Sequence, residues 1–147
     1  MDANALLSEN LALLVASSGT AASNAVLTST YVKPDNVRKL LAYFHLVAPT
    51  DAETVTFELV KASDSSGTGA AAIKSTTLTA HVTNNDNTVH WINFDGAETD
   101  EAKPWIAARI TTSSTGGTVV CFGILGGNFR QWPATLYNNA KLVTVTE

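Results

Sequence analysis

From Val26 onward the chain is written in short runs of Thr, Val, Ile and aromatic residues, cut by clusters of Gly, Asn, Asp and Ser. No other feature constrains the fold as much. β-Branched and aromatic side chains fit a pleated, half-buried surface, and the interrupting residues supply turns. Runs over residues 26–32, 38–48, 53–62, 76–83, 87–94, 104–113, 117–126 and 141–146 read as strands, with no long helical repeat between them. Parallel βαβ architecture is thereby excluded, and an antiparallel sandwich or barrel is expected. At 147 residues and 45% hydrophobic content the chain is long enough to bury one core without disulfides or metals.

Alternation refines the expectation. Val55, Phe57 and Leu59 share one face of their strand while Thr54, Thr56 and Glu58 share the other, and Ile106, Ala108 and Ile110 oppose Arg109 and Thr111. Residues 40–47 and 119–125 are apolar in both phases, as in strands that lie centrally or against a neighbouring subunit. The expected core comprises Leu40, Phe44, Leu46, Val55, Phe57, Leu59, Ile92, Ile106, Ile110, Val120, Phe122 and Ile124. Residues 111–118, with Gly116 and Gly117 inside, read as a hairpin loop, and residues 84–87 as a further turn.

Residues 1–25 differ in texture, with no Lys, Arg or aromatic residue and a run of small residues over 16–23. The segment reads as an N-terminal arm, extended or short-helical, ahead of a sandwich domain over 26–147. Leu7, Leu11 and Leu14 recur at helical spacing and are candidates to dock on a partner. At the other end Leu142, Val143 and Val145 lie in an alternating segment that reads as an edge strand, also a candidate for pairing across subunits.

The search for chemistry yields no active site. His45, His81 and His90 stand isolated from any second metal ligand at ligand spacing, and the one cysteine, Cys121, reads as a small core residue with no catalytic flank. The acidic stretch 95–101 lacks the oxygen-ligand spacing of a calcium loop and reads as solvated. Residues 64–69 are glycine-rich but lack the lysine of a phosphate loop, and Gly67 and Gly69 are expected to supply positive φ in a tight connection. No enzyme, cofactor or metal is expected. Nine Lys and Arg against thirteen Asp and Glu, scattered along the chain, argue against nucleic acid. No run approaches the roughly 20 apolar residues that span a bilayer, and the absence of a basic start before residues 11–16 implies synthesis in a cytoplasm.

The segment from Thr54 to Ala70, reading TVTFELVKASDSSGTGA, with Phe44 before it and Ile73 after it, resembles the strand-and-turn pattern of small β-sandwich virion proteins of tailed bacteriophages. Residues 105–111, Arg130 and Pro133 resemble that family's closing strands, while Ala71 stands where a lysine often follows and residues 136–147 extend past the pattern. The resemblance implies a jelly-roll-like capsid decoration, or cement, protein with no catalytic residues. It further implies the major capsid protein as partner, self-association as a homo-oligomer (dimer or trimer), and a place on the virion surface. Neck, tail or head-spike components and a carbohydrate-binding host-adhesion module are the competing expectations.

Overall fold

A computed structural model of the chain describes residues 11–34, 37–80, 84–95, 101–113 and 116–129. The strands are β1 (Leu11–Ala21), β2 (Val26–Thr28), β3 (Val37–Ala48), β4 (Thr54–Ala62), β5 (Ala71–Thr79), β6 (Thr88–Asp95), β7 (Trp105–Thr112) and β8 (Thr118–Phe129). They form two four-stranded sheets, ordered β1-β8-β3-β6 and β2-β7-β4-β5, with antiparallel pairing throughout. No helix occurs among the described residues.

The pairings β4·β5, β3·β6, β2·β7 and β1·β8 nest inside one another. The chain is therefore one long hairpin, folded over so that successive strand pairs alternate between two sheets, which is the jelly-roll solution. Residues 63–70, between β4 and β5, form its tip. The other strand-to-strand connections cross between the sheets.

Inward positions of both sheets meet in a dry interior. All twelve residues expected there are buried, joined by Val37, Ala42, Phe94 and Ala108. Phe44 lies at its centre, with its ring centroid 5.1 Å from that of Phe57 and 6.5 Å from that of Phe122, so the two sheets are locked by aromatic contact. The strands that are apolar in both phases, β3 and β8, are the two central strands of their sheet.

Four expectations change. Residues 11–21, expected in an arm of helical leucine spacing, form edge strand β1 on β8. A β-bulge at Leu14 breaks the two-residue period, so the leucine spacing is absorbed in an extended strand. Residues 111–118 do not close a hairpin: β7 and β8 lie in different sheets, and the segment crosses between them. Strand β5 begins at Ala71 rather than at residue 76, because the neighbouring β4 supplies pairing that Ala71 and Ala72 would not seek alone. Cys121, expected in the core, alternates with buried Val120 and Phe122 and so sits half-buried on the outer face. The segment 141–146 lies outside the described residues.

Candidate interaction surface

The tip is built from its own residues. Asp64 Oδ1 accepts the backbone N–H groups of Ser66 (2.9 Å) and Thr68 (3.1 Å), and Ser63 Oγ donates to the Thr68 carbonyl at 2.9 Å. The hydrogen bond from the Thr68 side chain, followed by the backbone N–H groups, holds the Asp64 carboxyl below its ordinary range. Gly67 takes φ +86°, and a Cβ there would lie 2.6 Å from the Tyr31 ring, so glycine is required for both backbone and space. Lys103 Nζ closes the far side on the Gly69 carbonyl at 2.6 Å. The N–H groups that a phosphate would need are thus turned onto Asp64.

The two outer faces of the sandwich carry different chemistry. On the β2-β7-β4-β5 sheet, one row across the strands sets Thr111, Thr56 and Thr77 side by side, with Thr56 and Thr77 hydroxyls 3.1 Å apart. The next row carries Arg109 and Glu58, paired at 2.7 Å; that bond raises the Arg109 pKa. These two rows are polar and bonded within the face, and Val26, 57% exposed, stands beside Thr111 at its edge.

The outer face of the β1-β8-β3-β6 sheet is apolar. Its register aligns Leu13, Leu125, Leu41 and Asn93 in one row, Ala16, Gly123, Tyr43 and Trp91 in the next, and Ser18, Cys121, His45 and Val89 in a third. Trp91 is 63% exposed and Val89 49% exposed. A Cβ on Gly123 would lie 3.0 Å from Tyr43 Cε1, so the Tyr43 ring lies across β8 over a glycine and flattens the face. Burial raises the Tyr43 hydroxyl pKa, with a smaller contribution from Cys121, and the group stays a neutral phenol at physiological pH. His45 Nε2 lies 2.6 Å from Asn87 Oδ1, an oxygen that can only accept, so Nε2 carries the proton. Among the described outward positions of this sheet the charged side chains are Lys39 and Asp95, at one end, and they pair with each other.

Of the residues expected to meet a partner, Leu14 instead packs partly buried against the core, with its Cδ1 over Gly126. Leu11 stands opposite Gly127 in β1. Leu7, Leu142, Val143 and Val145 lie outside the described residues, as do His81 and most of the acidic stretch. His90 points inward onto the Phe57 ring, with centroids 5.0 Å apart, and its Nε2 lies 3.1 Å from Thr88 Oγ1. No group of three or more metal-ligating side chains occurs among the described residues. Trp91 and Val89 escaped sequence reasoning although a signal existed: in residues 89–94 Val89 and Trp91 occupy one phase, Ile92 and Phe94 the other.

No family model matches the chain, and no curated protein matches it by sequence. Among solved structures, the chain is similar to the family 11 carbohydrate-binding module of the cellulosomal cellulase Lic26A-Cel5E of Clostridium thermocellum, at 12% identity and a TM-score of 0.41, over 84% of this chain and 91% of that one. At that distance the similarity carries nothing about ligand or partner.

Proposed function

We propose that the protein is a structural virion protein of a tailed bacteriophage that decorates the icosahedral head, bridging major capsid subunits as a cement. The observation that carries this reading is the segment Thr54–Ala70: its resemblance to decoration proteins falls on the strand and self-bonded turn at the tip of the whole folded-over hairpin. A role of this kind needs a rigid module with adhesive surface and no chemistry of its own. The module is repeated over the particle as a homo-oligomer, so that modest contacts add through symmetry.

The test is co-sedimentation of the purified protein with expanded heads that lack both it and a tail. Saturable binding supports the reading. Binding confined to tailed particles transfers the protein to the neck or tail and overturns it.

A second reading, a carbohydrate-binding adhesion module, is favoured by one observation, the exposed Trp91 beside Tyr43 on a flat sheet face. Specific retention on a glycan array, lost in Trp91→Ala, would support it in place of capsid binding.

A further inference from the structure

We propose that Lys74 guards the β5/β6 side of the sandwich, keeping both edges there from adding a strand of a second copy of this chain. The inference does not depend on the decoration reading.

Lys74 breaks the pattern of its own strand. In the pairing of β5 with β4, Leu78, Thr76 and Lys74 stand opposite Val55, Phe57 and Leu59, which are fully buried, so all three positions face the interior. An apolar residue is expected opposite Leu59, and a lysine stands there. A β-bulge lies beside it: between the Leu59–Lys74 and Val60–Ala72 pairs β5 carries an extra residue, Ile73. Ile73 packs partly buried against the core, and Lys74 is exposed at the rim.

Strands β5 and β6 are end strands of their two sheets, and Lys74 joins them. Its Nζ donates to the Asn93 carbonyl of β6 at 3.0 Å and stands 5.7 Å from the centroid of the Phe94 ring, a cation–π contact. The lysine stem and that bond together bridge the gap of about 10 Å between packed sheets. Because the Asn93 carbonyl is bonded from outside its own sheet, it points off the free edge of β6 rather than toward Leu41, its partner on β3.

One side chain thereby protects two edges. On β6 it occupies a carbonyl that an added strand would need, and the Asp95–Lys39 pair places further charge two residues on. On β5 it sets a charge at an inward position next to a bulge, two devices that discourage pairing at an edge. A strand laid along β5 would have to bury the ammonium or strip it from Asn93. A residue serving the core alone would be Leu or Met, which would cover Leu59 and Phe94 without a charge.

The experiment is sedimentation velocity over a concentration series, with melting curves, for wild type, Lys74→Arg, Lys74→Met, Lys74→Thr and Thr77→Val. Methionine keeps the apolar stem without the charge, and threonine repeats the residue at the neighbouring inward position, Thr76. Thr77 is exposed on the outward side of the same strand and controls for added apolar surface. The weight-average mass of Lys74→Met and Lys74→Thr should exceed that of wild type by about twofold or more at high concentration, as the joining of copies requires. Lys74→Arg and Thr77→Val should match wild type. Hydrogen exchange in the associated Lys74→Met should be slowed in β5 and β6 and unchanged in β1 and β2. Folded Lys74→Met and Lys74→Thr that sediment like wild type overturn the proposal. Association that slows exchange in β1 or β2 instead also overturns it. Failure of both neutral variants to fold assigns Lys74 to the stability of the core and overturns it as well.

Discussion

The carboxylate of Glu53, fully buried, accepts the backbone N–H of Gly116 at 2.6 Å. Its other oxygen accepts the Ser113 hydroxyl at 3.0 Å, and Ser113 Oγ in turn accepts the Thr54 N–H at 2.9 Å. Thr50 Oγ1 donates to the Gly116 carbonyl at 2.7 Å, and Asn24 N–H donates to the Ser113 carbonyl at 2.7 Å. Glu53 is thus the knot of three sheet-to-sheet crossovers, after β1, β3 and β7, at one end of the sandwich.

Glu53→Gln should therefore destabilise the fold while leaving its shape intact. An amide can keep one acceptor but presents N–H to one of two donors, leaving that part-buried donor unpaired against a fully buried side chain, at a cost of about 1 kcal/mol. Urea unfolding of the two proteins checks this through the midpoint. An unchanged midpoint would show that the carboxylate contributes nothing to the corner.

Phe57→Ala removes a ring that touches both Phe44 and His90 from a site with no exposure, and the loss should be about 3–5 kcal/mol. The denaturant slope should stay constant while the midpoint falls. A loss under about 1 kcal/mol would mean the core collapses into the void.

Stability should fall in mild acid because of His90. Burial lowers its pKa below the ordinary 6.5, so the folded protein takes up this proton less readily than the unfolded chain. The contribution is fully present above about pH 6.5 and is lost as pH falls through the lowered folded value. Asp64, also lowered, has the same sign in a window below its ordinary 3.8. Urea midpoints near pH 7.5 and pH 5.5 should differ for wild type and differ less for His90→Leu. Equal differences would assign the acid sensitivity to another group.

Much of this architecture is legible in the sequence because burial and period coincide. Val55, Phe57 and Leu59 alternate with Thr54, Thr56 and Glu58, and the side each takes follows from a two-residue repeat alone. Where the period is broken the reading fails. The bulge at Leu14 lets leucines at helical spacing sit in a strand, and the small residues of β1 carry little strand propensity, so its place is dictated by the open edge of β8. Glu53 carries no local signal, since its partners lie about sixty residues away and meet it only after the sheets close. The exposed aromatic face was half-legible: residues 40–47 and 119–125 are apolar in both phases, which marks a second covered face without saying what covers it.

Removing residues 1–22 should lower the melting temperature, because the deletion takes away a whole edge strand. Ten residue pairs join β1 to β8, and Leu14 and Val15 pack against the core from it. Without β1 the central strand β8 becomes an edge with an apolar outer face, which favours association through unpaired backbone. Gly123→Ala tests the same contact with one atom: a Cβ there would collide with the Val15 carbonyl oxygen and lie 3.0 Å from Ala16 Cα, both backbone, so β1 must lift off β8. We expect Gly123→Ala to cost about 1–3 kcal/mol, in the range of an overpacked core site. Comparing the 1–22 deletion with a 1–10 deletion isolates the share that belongs to β1, which starts at Leu11. Thermal melts together with sedimentation velocity supply the readout. If Gly123→Ala melts like wild type and the 1–22 deletion stays monomeric and equally stable, β1 is dispensable and the sheet ends at β8.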